Sequence, residues 1–550
     1  MSLLRPVPPP YEPLAWSRLP MEERGRLVCE AWAMQGYGTP PAVYALYAVK
    51  LALYLGGWIL WCGFTPGLGA VATIGRWWLA PVAFEKAILW SALFEGLGLG
   101  CGSGPLTGRY LPPIGGALYF LRPGTTKLPL WPRMPLLGGH RRTLVDVALY
   151  AAVLAALVGG LAAAAPPRWL LAALAIALPA LALADRTMFL AFRPEHYATT
   201  IIVLALAPAT PDWIAGAKAV QLALWFWAGF SKLNHHFPAV VCVMTSNGPF
   251  TRASWLRRRM YVRFPDDLRP SRLATVMAHL GTALELAVPL VLAFATGGTA
   301  LTVGLTLMVA LHVYITSNVP MGVPLEWNVM VVYGGFALFA AHPSITIAQV
   351  GLGPTAAVLA LALVVAPLVG NLWPHALSFL LSMRFYAGNW AYSVWLFRGD
   401  SYRKLDRLTT SAPWVHDQLA RFYDRATAVG LVGKVMGFRL MHLHGRALPL
   451  LVPRAIDRLD DHEWVDGEIV AGLVLGWNFG DGHLHDERLL RAIQPTCGFE
   501  PGELRCIFVE AQPLGRRTQA YRIVDAATGE LEAGRLAVDE LRARQPWAAA

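Results

Sequence analysis

The sequence is short of charge, since charged residues make up only 15% of its 550 residues, against about 25% in ordinary soluble proteins. A shortage of this size excludes a disordered chain and a string of soluble domains, because both need charged surfaces. Hydrophobic residues reach 55%, and the 21 Trp, 22 Phe and 17 Tyr suit a protein with two membrane interfaces. The composition predicts a mainly α-helical, polytopic membrane protein.

Cysteine is also scarce, with six residues and no CxxC or comparable zinc spacing. Cys497 and Cys506 either pair or stand as separate buried thiols. The first residues contain no apolar run, so no cleavable signal peptide is expected. We attribute the net charge of +11 to Lys- and Arg-rich cytoplasmic loops and expect no nucleic-acid partner.

Apolar runs recur up to residue 370. A hydrocarbon layer of about 30 Å requires about 20 such residues in one helix. Gly- and Pro-rich residues 101–142 are too broken to span and are expected to be re-entrant or interfacial. The pattern predicts about ten spans, near 42–63, 79–100, 144–165, 168–185, 196–210, 213–231, 273–296, 299–317, 326–342 and 347–370.

Two basic loops, at 120–142 and 251–272, are separated by four of the expected spans, so they fall on one side of the membrane. Counting spans outward places both termini on that side as well. The positive-inside rule makes this side the cytoplasm. The sequence therefore predicts a multi-pass cell-membrane protein with cytoplasmic termini.

The composition changes near residue 400, after which charges of both signs are frequent. Residues 401–446 have a helical pattern, and 504–536 alternate like strands, with a hairpin that turns at Thr528-Gly529. This end is predicted to be a small soluble α+β domain. The expected organisation is a cytoplasmic arm over 1–41, two spans and the broken segment over 42–142, a transmembrane core over 143–372, and an interfacial segment with the α+β domain over 373–550.

Lys232 lies at the end of an apolar helix, in LWFWAGFSKLNHHF, and is the most prominent ionisable residue at membrane depth. Desolvation disfavours the ammonium form of a lysine, so a lysine in a dry pocket can act as a neutral base. The alternative is a lysine that extends to the membrane interface. Position alone leaves both interpretations open.

Other polar residues interrupt the apolar segments, and each has an alternative role in a helix–helix hydrogen bond or a buried ion pair. Because several spans contribute one, they predict a polar pocket inside the bundle that contacts the substrate. Its expected members are Asp185, His196, Trp227, Asn234, His235, His236, His279, Glu285, His312 and Asn318.

A membrane di-iron site requires HxxxH and HxxHH spacings, and none of the 14 His occurs in either. The C-terminal region has two His-x-His pairs, His442 with His444 and His483 with His485, whose rings would lie on one side of a strand. They are weak metal candidates, and locally hydrogen-bonded histidines are the alternative. No metal is predicted.

From Ala228 to Asn234, AGFSKLN resembles the Ala-Gly-x-x-Lys-Leu-(Asp/Asn) signature of the vitamin K-dependent gamma-carboxylase superfamily, the horizontally transferred transmembrane domain proteins. Arg186 replaces a lysine of that family, and no counterpart of its protein-substrate region is recognisable. The whole chain, with GWNFGDGHLH, also resembles an actinobacterial family of multi-pass membrane proteins without an assigned function. Other segments agree in order over about 180–345, namely Asp185-Arg186-Thr187 with His196, His279 through Glu285, and Leu311-His312 with Asn318.

The resemblance implies a carboxylase-like core in which Lys232 deprotonates a reduced, menaquinol-like quinone that O2 then oxygenates. His196 and His312 would assist, for instance by hydrogen bonding to the quinone oxygens. Quinone oxidation is expected rather than protein carboxylation, although coupling to carboxylation stays open. The alternative function is non-enzymatic: binding or transport of a membrane lipid, or anchoring of a protein partner through the C-terminal domain.

Overall fold

The computed structural model describes residues 3–100, 115–207, 210–318 and 324–548. Helices dominate this part of the chain, and a five-stranded sheet lies in the C-terminal region. The predicted mainly α-helical fold with a C-terminal α+β region is therefore confirmed. The Gly-rich residues 101–114, for which we expect a re-entrant or interfacial segment, lie outside the described residues.

The helices of the first half begin at recognisable signals. Proline occupies the first turn of several of them, and Thr143 and Asp146 form a reciprocal capping box. In order they are α1 Pro13–Trp16, α2 Met21–Gln35, α3 Pro41–Cys62, α4 Ile74–Trp77, α5 Pro81–Gly96, α6 Gly115–Phe120, α7 Leu144–Ala162, α8 Arg168–Ala184, α9 Arg186–Ala191, α10 Thr199–Leu206, α11 Thr210–Ser231, α12 Phe237–Asn247 and α13 Ser254–Arg259.

The second half begins with a helical hairpin and continues into the C-terminal region. The Ser271 hydroxyl accepts a hydrogen bond from the Ala274 backbone and begins the first of these helices. In order the helices are α14 Arg272–Phe294, α15 Gly298–Thr316, α16 Leu325–Gly334, α17 Pro354–Ala360, α18 Ala366–Leu372, α19 Val415–Leu419, α20 Arg425–Met441, α21 Leu448–Ala455, α22 Gly467–Leu475, α23 Glu487–Cys497 and α24 Val538–Ala543.

Fewer helices than predicted are long and apolar enough to cross a membrane. Within the described ranges five qualify, so the prediction of about ten spans is wrong in number. Several other apolar segments form shorter helices inside the protein: α5 has 16 residues, most of them buried, and α10 has eight. The five are Pro41–Cys62, Leu144–Ala162, Arg272–Phe294, Gly298–Thr316 and Pro354–Leu372.

The C-terminal sheet is antiparallel, with strand order β4-β3-β5-β6-β7. β3 occupies an inner position, and its residues Tyr392–Phe397 are all buried. The predicted hairpin is confirmed, since Asp525 pairs with Gly529 across the turn. Cys497 and Cys506 are separate buried thiols. The strands are β1 Tyr261–Arg263 and β2 Asp267–Pro270 in a small hairpin, then β3 Tyr392–Arg398, β4 His462–Asp466, β5 Leu504–Val509, β6 Thr518–Asp525 and β7 Gly529–Ala537.

The N-terminal arm is packed against the C-terminal region and does not stand apart. Helix α2 lies along α20, and the Lys434 ammonium donates to the Val7 carbonyl at 2.7 Å. The two basic loops reach the same region, because Arg142 donates to the Leu475 carbonyl at 3.0 Å and the Leu268 backbone donates to a C-terminal glutamine. Both loops and the N-terminal arm therefore pack against the C-terminal region.

Shorter apolar helices accompany the five long ones in the described part of the chain. They are Arg168–Ala184, Phe237–Asn247 and Leu325–Ala340.

Candidate functional site

A cavity of about 420 Å³ lies between the membrane helices and the C-terminal region, and we call it the inner chamber. Its wall is mostly apolar and aromatic. Two lining residues, Leu280 of α14 and Tyr314 of α15, are 65% and 44% exposed, and both helices are candidate spans. The chamber therefore opens sideways toward the bilayer, which suits a ligand that arrives from the lipid phase. The aromatic part of the wall is formed by Tyr47, Trp225, Phe237, Tyr314, Trp327, Phe379, Phe385, Tyr386, Trp390, Phe438 and Phe479.

Lys232 and Glu285 meet at the wall of the inner chamber. The Lys232 Nζ atom lies 2.5 Å from Glu285 Oε2, and the two side chains are only 8% and 7% exposed. Lys232 follows the end of α11 and Glu285 lies within α14, so the packing of these two helices forms the contact. The geometry is that of a buried ion pair and not of the isolated neutral amine expected from the sequence.

His312 also lines the chamber, but both of its ring nitrogens are engaged. Nδ1 lies 2.8 Å from Asn328 Oδ1, and Nε2 accepts a hydrogen bond from Trp225 Nε1 at 2.9 Å. The Asn328 amide in turn donates to the Pro324 carbonyl. These contacts require Nδ1 to carry the proton, so His312 is a neutral ring that holds Trp225 and Asn328 in the wall.

Arg193 lines the chamber and is a residue that the sequence reasoning missed. Its Nε donates to Glu195 at 2.7 Å. The guanidinium carbon lies 5.1 Å from the ring centres of Trp327 and Phe479 and 5.7 Å from that of Phe385, which are cation–π distances. An arginine inside an apolar segment is a functional candidate by the rule that selected Lys232, so FRPEHY contained the signal.

A second ion pair borders the inner chamber, and the sequence analysis did not predict it. Lys50 of α3 lies 3.1 Å from Glu326 of α16, and Lys50 lines the chamber. Glu326 precedes Trp327, which forms part of the aromatic wall. The charge pattern of the chamber is thus built largely from matched pairs, which limits the cost of burying charge in an apolar site.

His196 lies close to the chamber but is not part of its lining. It is buried, its ring stacks on Tyr197 at 4.6 Å between centres, and it meets the edge of Trp327 at 6.2 Å. Trp327 therefore stands between His196 and the cavity. The three expected catalytic residues converge on one region, and two of them, Lys232 and His312, reach the chamber itself.

Asn234, His235 and His236 follow Lys232 and do not line the chamber. Asn234 Oδ1 accepts hydrogen bonds from the backbones of His236 and Phe237 and so stabilises the turn before α12. His235 is exposed. His236 is buried, and its Nε2 lies 2.8 Å from Gln512 Oε1, which links this turn to the C-terminal region.

The remaining predicted substrate contacts, apart from Glu285, also lie outside the chamber. Trp227 donates to a backbone carbonyl at 2.7 Å, and Asn318 donates to a carbonyl of its own helix at 2.8 Å. His279 is exposed on α14. Asp185 is fully buried and pairs with Arg142 at 2.9 Å. The cavity thus contains fewer of the expected residues than the sequence suggested, and its wall is mostly apolar where a polar pocket was expected.

The four histidines of the His-x-His pairs are buried and hydrogen-bonded. His442 and His444 each place Nδ1 2.7 Å from a backbone carbonyl, and burial lowers the pKa of His442 to about 3. His483 lies 3.1 Å from Glu510. His485 contacts a serine hydroxyl at 2.7 Å, and burial lowers the pKa of His485 to about 4. Among the described residues, no group of three His, Cys, Asp or Glu is arranged to hold a metal ion.

The chain was compared with family models, curated proteins and solved structures. One family model matches residues 1–550 and is described as a transmembrane protein of unknown function, DUF3556. No curated protein and no solved structure matches the chain. The comparisons therefore give no evidence for the carboxylase superfamily that residues 180–345 resemble. Because the match extends over the whole length, the chain belongs to the DUF3556 family of transmembrane proteins.

Proposed function

We propose that the protein is an integral-membrane enzyme that binds a lipid-soluble, menaquinol-like quinol in the inner chamber and oxygenates it with O2. The observation that carries the proposal is the Lys232–Glu285 ion pair in the wall of a mostly apolar cavity that opens toward the bilayer. A quinol ring is flat and apolar with two hydroxyl groups, so an aromatic wall that contains a few ion pairs matches its chemistry.

The ion pair supports a proton-transfer role that differs from the one expected from the sequence. In the proposed step, the Glu285 carboxylate takes a proton from the quinol hydroxyl, and the Lys232 ammonium stays beside the resulting anion. The total charge of the chamber is then the same before and after the transfer. Keeping the total charge constant avoids building up net charge in a poorly solvated site.

The subsequent oxygenation balances without another reductant. One quinol and one O2 give one quinone epoxide and one water. One oxygen atom enters the ring, and the other leaves as water with the two hydroxyl protons of the quinol. His312 contributes as a positioning residue, because its two hydrogen bonds hold Trp225 and Asn328 in the chamber wall.

The test is menaquinol turnover by the purified protein in lipid nanodiscs, followed by O2 uptake and by mass spectrometry of the product. We expect Glu285→Gln and Lys232→Met to lower turnover by about 100-fold or more, as is typical when a proton acceptor is lost. Equal rates for the wild type and both variants would remove the pair from the mechanism.

Two controls separate chemistry from folding. Lys218→Gln changes another buried lysine of α11, whose ammonium contacts carbonyls outside the chamber, so folded protein should keep its turnover. Gly281→Leu adds a side chain at the chamber wall, where an added Cβ would meet only Phe237 at 3.9 Å. We expect this variant to fold and to lose quinol binding.

Lipid binding without chemistry is the second candidate function. It is favoured by the saturated hydrogen bonding of His312, since both ring nitrogens are occupied and neither is free for a substrate oxygen. Extraction of the lipids that co-purify with the protein distinguishes the two. Bound quinone supports the enzyme, whereas a phospholipid or glycolipid supports a binding, transport or anchoring protein with an interaction role for its C-terminal domain.

We further propose that both chain ends lie on one side of the membrane and that this side is the cytoplasm. The support is the concentration of arginine in the two basic loops, which lie against the C-terminal region. A C-terminal reporter that is active only in the cytoplasm should be active in intact cells. Activity of a reporter that requires export would contradict this orientation.

A further inference from the structure

A second cavity, of about 720 Å³, lies beside the inner chamber, and we call it the outer groove. Its floor is α16, which packs against both α3 and α15. Residues of α3 and α15 form its two sides, among them Leu55 and Val313, which are 43% and 64% exposed. Because α3 and α15 are both candidate spans, the groove lies at membrane depth and opens toward lipid.

The wall of the outer groove differs from that of the inner chamber in chemistry. It is formed by tryptophans, tyrosines and aliphatic side chains, with Ser317, Thr316, His312 and Asn328 as its main polar members. Neither Lys232 nor Glu285 borders it, and it contains none of the ion pairs of the chamber. Such a surface suits a flexible hydrocarbon chain and offers little to a charged headgroup.

The two cavities share part of one wall. His312 and Asn328, which are hydrogen-bonded to each other at 2.8 Å, line both the inner chamber and the outer groove. Tyr314 of the chamber and Val313 of the groove are also neighbours on α15 and are 44% and 64% exposed, so both cavities open toward lipid beside this shared wall. A ligand with its ring against Lys232 and Glu285 therefore lies next to the groove, where a chain attached to that ring can pack along α16.

We propose that the outer groove binds the isoprenoid tail of the quinol whose ring occupies the inner chamber. This inference rests on the proposed function and specifies its substrate class as a quinol with a long polyprenyl chain. Lipid tails are as apolar as the groove, so the tail gains affinity from close packing against aromatic side chains and not from transfer out of water. The gain in binding affinity from the tail is therefore modest, and it depends on the shape of the groove.

The experiment measures binding of a tailed menaquinone and of its tailless naphthoquinone counterpart to the full-length protein in nanodiscs. We expect the wild type to bind the tailed probe about tenfold more tightly, which corresponds to about 1.4 kcal/mol. Gly75→Trp and Val313→Trp fill the groove from two sides, and a Cβ at Gly75 meets no atom within 4 Å. Both variants should bind the two probes equally and keep the affinity for the tailless one.

The matched control is Gly56→Trp, because Gly56 is exposed on α3, borders neither cavity and likewise has open space around its Cβ. It should keep the tenfold preference. If both groove variants kept the tenfold preference for the tailed probe, the inference would be wrong. The groove would then be a surface that contacts the acyl chains of the bilayer. Absence of binding of either probe to the wild type would instead overturn the proposed function, and the inference with it.

Discussion

The Lys232–Glu285 pair makes a quantitative prediction about stability. At 2.5 Å and an effective dielectric constant of about 20, the attraction between the two charges is about 7 kcal/mol. Removing both charges from water offsets most of this, since each ion loses several kcal/mol of hydration. A single substitution leaves the other charge buried without a partner. We therefore expect Lys232→Met or Glu285→Met to lower the free energy of unfolding by about 3–5 kcal/mol.

The double variant Lys232→Met/Glu285→Met should behave differently from either single variant. It replaces two buried charges by apolar side chains, and such replacements are often neutral or stabilising by about 1–4 kcal/mol. We expect it to be at least as stable as the wild type while it lacks quinol turnover. Equilibrium unfolding by SDS in mixed micelles, followed by circular dichroism, gives the free energies of all four proteins.

An exposed pair of similar separation provides the control. Arg26 and Glu30 of α2 lie 2.9 Å apart, but their side chains are far more accessible. Arg26→Met should change the free energy of unfolding by about 0.5 kcal/mol or less. A double variant as unstable as the two single ones would refute the reasoning, because the loss would then come from packing and not from unpaired charge.

Gly445→Ala should abolish folding of the C-terminal region, because the added Cβ would lie 1.7 Å from the Arg439 carbonyl oxygen. In the control Gly56→Ala, the added Cβ meets no atom within 4 Å, so the substitution should be neutral. Limited proteolysis compares the folding of the two variants. Burial lowers the pKa of His483, but the carboxylates of Glu510, Asp481 and Asp486 together outweigh it and raise the pKa above its ordinary value. Protonated His483 therefore contributes stability at low pH that is lost as the pH rises through the raised pKa, and Glu510→Gln should weaken this dependence in thermal unfolding curves.

Hydropathy identified the class of the protein but could not count its spans. The run near 79–100 has the composition of a span, yet it forms α5, whose 16 residues are mostly buried against other helices. The run near 196–210 likewise contributes only the eight-residue α10. An apolar segment looks the same whether it faces lipid or protein, so only the tertiary arrangement separates the two.

The C-terminal sheet shows the same limit. Its last hairpin was predictable because β6 and β7 have alternating burial and a glycine at the turn. β3 was not recognised, because Tyr392–Phe397 are all buried and are apolar apart from Ser393, so the alternation typical of a strand is not visible. β3 and β4 also lie more than 60 residues apart, so their pairing leaves no local signal.

The candidate site was predictable as a region and not as a set of contacts. The cost of burying charge singled out Lys232, Glu285 and His312, which do line the chamber. Their pairing was not predictable, because a lysine at a helix end and a glutamate 53 positions later meet only once α11 and α14 have packed. Arg193 was overlooked since it follows a short helix in a segment interpreted as a break between spans.

The contact between α2 and α20 has a consequence for biosynthesis. The two helices are separated by about 400 residues, so at about 5–20 residues per second the arm leaves the ribosome about 20–80 s before its binding surface exists. During that interval the apolar face of α2, with Val28 and Trp32, lacks its native cover. We therefore expect chaperones to bind the newly made arm until α20 has been translated.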